Sequence, residues 1–259
     1  MPRFEPHPER RPALVTGASS GIGAATATAL AMAGHPVAIG ARRLEKVEEL
    51  AATIRAGGGE AFAHSLDVGD SDSVKAFAAA AEEALGPMEV VVSGAGDLAA
   101  DRIHELDSDG FLAQVQVHLI GAHRLVSQLV PGMVARTRGD IVFISSDVVR
   151  APRTRMGAYV AAKNGVEGMA RAMQMELEGT GVRASIVRPG PTMTGMGMGW
   201  DAQTTGEVLE EWVKWGMARH PYFLRPSDVA AAVAAVISAP RGAHLSLVEI
   251  QPEAPVEKP

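Results

Sequence analysis

Thr16-Gly17-Ala18-Ser19-Ser20-Gly21-Ile22-Gly23 lies between a short apolar run, Ala13-Leu14-Val15, and a small-residue stretch of helical period from Gly21 to Ala33. The glycines are spaced Gly-x3-Gly-x-Gly. A strand that turns into a helix on such glycines offers backbone N–H groups and a helix N-terminus to an anion, with no Cβ blocking a pyrophosphate. A glycine motif alone is weak; a strand before it and a helix after it make it informative. Gly17, Ser19, Ser20, Gly21, Ile22 and Gly23 are therefore the first candidate binding residues.

Working outward, the same alternation continues. Strands are expected at Pro36–Gly40, Ala61–Leu66, Met88–Ser93, Asp140–Ser145, Val182–Val187 and His244–Ile250. Helices are expected at Leu44–Arg55, Ser71–Leu85, Tyr159–Leu177 and Asp228–Ser238, with a long one around Phe111–Leu129 that ends near Pro131. The strands are short and apolar on both faces, as parallel strands covered by helices must be. The chain is read as α/β: a Rossmann-type doubly wound fold of about seven parallel strands with helices on both faces. One domain spans 12–252, preceded by a disordered arm over 1–11 and followed by a flexible tail over 253–259.

Composition narrows the function. The 259 residues carry 24 Lys+Arg and 30 Asp+Glu, a net charge of −6, which argues against nucleic acid as a partner. With no Cys, thiolate chemistry and Cys-based zinc sites are excluded. No apolar run reaches the length of a membrane span, and the Pro-rich N-terminus has no signal-peptide core, so a cytoplasmic protein without membrane partners is expected.

Tyr159 and Lys163 are four residues apart on an expected helix and share a face. A tyrosine is a poor acid–base group near neutral pH, and a neighbouring ammonium is expected to lower its pKa. Such a pair can pass a proton to or from a substrate oxygen.

Thr16–Gly23 taken with Tyr159-x3-Lys163 resembles the short-chain dehydrogenase/reductase family, and the resemblance runs from Ala13 to Ile250. It implies a nucleotide-binding oxidoreductase with catalytic Tyr159 and Lys163, the lysine also holding the nicotinamide ribose. Ser146, 13 residues before Tyr159, matches the family serine that bonds the substrate oxygen. Asp67 and Val68 resemble the pair at the adenine, Gly94, Ala95 and Gly96 the segment after strand four, and Pro189, Gly190, Thr192 and Thr194 the segment beside the carboxamide. His118 stands where the family has an asparagine that bends a helix and holds a relay water. As a neutral ring it has one donor and one acceptor, enough for a similar job, and unlike Asn it can titrate near neutral pH. Relatives of this size imply a homotetramer or homodimer.

Dinucleotide folds place an acid about 20 residues after the glycine turn to hold a free ribose 2′-OH. Here that position is Ala41, followed by Arg42 and Arg43, which suit a 2′-phosphate. NADP(H) is therefore expected over NAD(H). Residues 191–225 are read as a substrate lid in which Met193, Met196, Trp200, Trp212 and Trp215 face an apolar carbonyl or alcohol substrate, with Met198 and Gly195, Gly197 and Gly199 interspersed. A 3-oxoacyl or polycyclic ketone is the substrate type. Arg150, Arg153 and Arg155 form a solvated charge run or a site for an acidic substrate tail. The competing reading is a catalytically silent NADP(H)-binding sensor.

Overall fold

The computed structural model of the protein describes residues 4–196, 200–217 and 220–256. Seven strands form one parallel sheet: β1 (Ala13–Thr16), β2 (Val37–Ala41), β3 (Ala61–Ser65), β4 (Val90–Ser93), β5 (Gly139–Ile144), β6 (Val182–Pro189) and β7 (Leu247–Ile250). Their order is β3-β2-β1-β4-β5-β6-β7, every pair parallel. After β3 the chain crosses back to the far side of β1, which opens a crevice at the carboxyl ends of β1 and β4.

The period-two alternation explains the two layers. Leu14, Val91, Ile141, Phe143 and Ile186 point to one face, where α3 (Ser71–Leu85), α5 (Gly121–Ala135) and α6 (Gly157–Glu176) cover them. Val15, Ile39, Val90, Val142 and Val187 point to the other, under α1 (Gly21–Met32), α2 (Leu44–Ala56) and α8 (Pro226–Ser238). A further helix, α4 (Ser108–Val115), runs through a π turn at Gln116–Ile120 straight into α5. Helix α7 (Ala202–Lys214) lies in the segment expected to be a lid.

Three boundaries differ from expectation. The helix does not stop at Pro131 but continues to Ala135: Pro131 is on the exposed side, and the last turn buries Met133 fully. The final strand starts at Leu247 rather than His244, because the Arg183 guanidinium takes the carbonyls of Ala239 at 3.0 Å and Ala243 at 2.6 Å before the ladder begins. The arm expected to be disordered is anchored from His7 onward. His7 Nε2 lies 3.1 Å from the Ala239 carbonyl, and Arg10 pairs with Glu60 at 3.0 Å. Arg11 is 2% exposed and meets two buried carboxylates, Asp140 and Glu89. Those acids lie at the start of β5 and just before β4, where Arg183 and Arg138 also pair with them, so the arm adds a buried cation to an existing charge cluster at the sheet's amino edge.

Among the described residues no helix is long and apolar enough to cross a membrane, and no cluster of His, Asp and Glu is built to hold a metal.

Without Arg11, Asp140 keeps Arg183 at 2.6 Å and Glu89 keeps Arg138 at 2.6 Å, so the loss is that of hydrogen bonds to charged groups, about 1.5–3 kcal/mol each. Arg11→Met is therefore expected to lower the urea midpoint strongly at an unchanged m-value. An arm without a structural role would leave the midpoint where it is.

Candidate active site

Along the carboxyl end of the sheet runs one cleft of about 770 Å³. Its glycine-rich end shows why the turn has that composition. Gly17 has φ +71°, and a Cβ there would come within 2.8 Å of Gly94 O and Ala95 Cα. A Cβ on Gly23 would sit 2.4 Å from Gly17 O. The buried Thr16 hydroxyl accepts from the N–H groups of Gly94 and Ala95, both at 3.1 Å, joining the ends of β1 and β4 across the crevice. This close-packed, Cβ-free cradle at the N-terminus of α1 fits the diphosphate of a pyridine nucleotide.

Gly17, Ser19, Ser20, Gly21, Ile22, Gly23, Arg42, Arg43, Asp67, Val68, Gly94, Ala95, Gly96, Pro189, Gly190, Thr192 and Thr194 all line this cleft, together with Ala41. Arg43 donates to Ser19 Oγ at 2.8 Å and Ser20 Oγ at 3.2 Å, so two hydroxyls and a guanidinium converge beside the second-strand turn.

At the other end the first two turns of α6 carry Tyr159 and Lys163, and the end of β5 carries Ser146; all three line the cleft. Lys163 Nζ donates to the Ile144 carbonyl at 2.7 Å and lies 5.6 Å from the centre of the Tyr159 ring. Burial brings the lysine down to about 8. The tyrosine departs from expectation. Burial pushes its hydroxyl up to about 12; a hydrogen bond with Ser146 and the charge of Arg153 pull down, while Asp147 pushes up. Lys163 does not offset this, because its ammonium is turned onto Ile144 O.

His118 sits in the π turn, 3% exposed, its ring edge-on to Tyr159 at 5.0 Å between centres. Its Nε2 lies 2.7 Å from the Asp97 carbonyl, which fixes that nitrogen as the donor. Gly96 admits the ring: a Cβ there would be 2.6 Å from His118 Cε1. Titration near neutral pH is not borne out. Burial, then the charge of Lys163, hold the imidazole down to about 3, so it stays neutral.

Of the residues read as facing a substrate, three reach the cleft and two do not. Met196, Trp200 and Trp212 line the cleft. Trp200 Nε1 donates to Leu98 O at 3.1 Å and Trp212 Nε1 to Thr154 O at 3.5 Å. Met193 and Trp215 are 57% and 62% exposed and are not among the lining residues. Trp215 follows the last residue of α7, and Gly216 at φ +64° turns the chain away, so it stacks near Lys214 instead. Gly197, Met198 and Gly199 lie outside the described residues. Leu98, Val148, Met156, Leu209 and Phe223 complete the wall.

All three arginines are paired: the Arg150 side chain stays 66% exposed, while those of Arg153 and Arg155 are 8% and 15% exposed. Arg150 pairs with Glu249 at 2.9 Å, Arg153 with Asp147 at 2.6 Å, and Arg155 with Glu207 at 2.7 Å and Glu211 at 3.3 Å. Arg102 joins Glu211 at 2.8 Å, and these contacts hold that carboxyl down to about 2, Arg102 contributing most. They fasten α7 over the cleft.

Comparison with known proteins agrees with this geometry. The family profile described as short chain dehydrogenase matches residues 11–205. The chain is 32% identical over 244 residues to 2,3-dihydro-2,3-dihydroxybenzoate dehydrogenase of Bacillus subtilis, covering 92% of this chain and 93% of that one. It is 37% identical over 241 residues to glycine betaine reductase ATRR of Emericella nidulans; that match covers 93% of this chain but only 18% of the relative's length. The structure of an alcohol dehydrogenase from Thermococcus sibiricus complexed with 5-hydroxy-NADP superposes with a TM-score of 0.81 at 29% identity, covering 93% of this chain and 96% of the other. A glycine cradle and a Ser–Tyr–Lys group at opposite ends of one cleft, in a chain whose relatives match over nearly its full length, make this protein an oxidoreductase of the short-chain dehydrogenase/reductase family.

Proposed function

We propose that the protein is an NADP(H)-dependent reductase or dehydrogenase acting on the carbonyl or secondary alcohol of an apolar substrate. The observation that carries this reading is the meeting of Ser146, Tyr159 and Lys163 in the same cleft as the glycine cradle. The bound nicotinamide supplies or accepts the hydride. Tyr159 then gives the proton to the substrate oxygen, or takes it in the reverse direction, and Ser146 orients that oxygen by a hydrogen bond. Lys163, anchored on Ile144 O, holds the ribose side and returns a proton toward the tyrosine. His118, neutral and against the Tyr159 ring, stands in for the relay asparagine of the family. With all three reacting side chains in the cleft, nothing favours a silent sensor.

The preference for NADP(H) rests on charge. Ala41 leaves the 2′ position without an acid, and Arg42 and Arg43 flank it, the latter held by Ser19 and Ser20. A 2′-phosphate there gains charge-assisted contacts that a hydroxyl lacks. The substrate reading rests on Leu98, Val148, Met196, Trp200, Leu209, Trp212 and Phe223 around the reacting end. A homotetramer or homodimer built on α5 and α6, acting in the cytoplasm, belongs to the same reading.

Three outcomes are expected. Tyr159→Phe lowers kcat by about 10²–10⁴-fold, the usual worth of a positioned acid–base group, while NADPH still raises the melting temperature; undiminished turnover would overturn the assignment. Arg42→Asp raises the KM for NADPH by about 10-fold or more, one charge-assisted hydrogen bond, and narrows its margin over NADH in steady-state kinetics. His118→Ala lowers kcat by roughly 10-fold and His118→Asn restores most of it. Because the ring stays neutral, the wild-type rate profile is expected to have no histidine step between about pH 5 and 8.

A further inference from the structure

The wall at the reacting end of the cleft is apolar, and one charged pair is set into it. Of the charged side chains that line the cleft, Arg42, Arg43 and Asp67 follow β2 and β3 at the far end. Lys163 is committed to the Ile144 carbonyl, and Asp97 turns back to accept from the Leu98 N–H at 2.8 Å. Asp147 and Arg153 remain, beside Val148, Met156, Leu209 and Phe223. Both side chains are nearly covered, Asp147 at 10% exposure and Arg153 at 8%. Taking two charges out of water is costly, and apolar residues of like volume often replace such a pair without loss of stability. A pair kept in the wall of a substrate cleft therefore points to a ligand group that it binds.

The hydrogen bonds of the pair define that group. Arg153 gives one N–H from each terminal nitrogen to the two oxygens of Asp147, at 2.8 Å and 2.6 Å. The other N–H groups of the guanidinium find no acceptor among the described residues. The Trp212 ring, its centre 5.5 Å from the guanidinium carbon, covers one face of the cation. Asp147 Oδ1 also accepts from the Ser146 hydroxyl at 3.5 Å. The fork as a whole is neutral and rich in donors, so it suits an acceptor. A carboxylate would bring a second anion against Asp147, and an ammonium a second cation against Arg153, both where little water screens them. An uncharged oxygen meets neither penalty. Ser146 and Arg153 share one oxygen of Asp147, so a substrate oxygen on the serine and another on the arginine belong to neighbouring atoms of one small molecule.

We propose that Arg153 is a specificity-determining residue: the fork selects ketones or alcohols that carry a second, uncharged oxygen on the carbon next to the reacting one. Ser146 takes the first oxygen and Arg153 donates to the second. Asp147 fixes the guanidinium and, as its countercharge, turns carboxylates away. The rest of the substrate is apolar, as the wall requires. This deepens the oxidoreductase reading and rests on it.

Three aryl ketones of similar size test the proposal. Phenacyl alcohol has a hydroxyl on the neighbouring carbon, propiophenone a methyl group there, and phenylglyoxylate a carboxylate. With NADPH, kcat/KM is expected to favour phenacyl alcohol over both others by about 10-fold or more, the worth of one hydrogen bond to a charged group. The hydroxyl also activates the carbonyl, so the change in these ratios on substitution decides. Arg153→Met is expected to lower the ratio of phenacyl alcohol to propiophenone by about 10-fold, through KM, and Arg153→Lys by less. Asp147→Asn, which nearly keeps the shape of the carboxylate and leaves the cation unbalanced, is expected to raise phenylglyoxylate relative to phenacyl alcohol. Should Arg153→Met not fold, Asp147→Asn and the Asp147→Asn/Arg153→Met double variant carry the test, the latter losing the preference for the hydroxyl. A merely structural pair lowers all three substrates alike and leaves the ratios where they were; that result overturns the proposal, as does a wild-type preference for the carboxylate. The same ranking is expected in the melting temperature of the protein saturated with NADP+ and each ketone, where nothing turns over. Ranked melting shifts without NADPH oxidation would count against the reductase reading alone, and oxidation without ranking against the role of Arg153 alone.

Discussion

Glu167 is a carboxylate with no exposed surface, and the geometry of the site depends on what surrounds it. Arg188 on β6 grips both its oxygens, at 2.8 Å and 2.7 Å, and the Ser145 hydroxyl donates to it at 2.7 Å. Burial alone would raise its pKa; the hydrogen bonds from Arg188 and Ser145 outweigh that and hold it below the usual range. The same Arg188 reaches Glu249 on β7 at 2.8 Å. One side chain of α6 therefore binds the carboxyl ends of β5 and β6, and through Arg188 that of β7. Tyr159, Lys163 and Glu167 follow one another at four-residue steps, a single stripe on the helix. Fixing the last of them sets the height at which the other two meet the strand ends, where Lys163 finds the Ile144 carbonyl and Tyr159 finds Ser146. Such a pair contributes little net stability, yet breaking it would strand a charge in the core. It acts as a register between helix and sheet.

The sheet itself was legible because its signals are local. Strands covered on both faces have to be apolar throughout, and each of the seven could be read from its own few residues. What could not be read were the places where distant charges decide a boundary. Arg11 looked like part of a polar, proline-rich arm because its partners, Asp140 and Glu89, lie far along the chain. The start of β7 is hidden from local sequence because Arg183, far along the chain, claims backbone carbonyls before it. Pro131 looked like a helix stop, since a proline removes one hydrogen bond, but its exposed position lets water meet the carbonyl so freed, and the burial of Met133 carries the helix on.

The site divides in the same way. Residue types at fixed spacing, the glycine turn and Tyr159-x3-Lys163, are visible in one dimension and meet in the cleft. The electrostatic sign at Tyr159 was not visible. Sequence spacing brings Lys163 to the same helix face, but only the fold reveals that its ammonium is committed to a strand carbonyl and that burial dominates the phenol. The 191–225 segment stands out in the sequence as a concentration of Trp and Met, but not in the detail of which rings turn inward. Met193 and Trp215 point to solvent, while Leu209 on α7 lines the wall, because the helix ends just where Trp215 would have continued its inner face.

The neutral His118 connects these parts. Its Nε2–H is given to the Asp97 carbonyl, and the carbonyl of the next residue, Leu98, accepts from Trp200 at 3.1 Å, just before the Asp201 cap of α7. The ring edge meets Tyr159 on the opposite side. Two adjacent carbonyls thus hold the phenol's neighbour and the segment before α7 together. Protonating the ring would put a second cation beside Lys163 in a space that excludes water, which is why burial and that lysine keep it neutral. The π turn gives the ring its depth, and Gly96, lacking a Cβ, gives it room. An asparagine here keeps a donor for the Asp97 carbonyl but has no ring to pack against Tyr159. The histidine therefore does more than make one hydrogen bond: it packs the rear wall of Tyr159 and the segment that leads into α7 into a single unit.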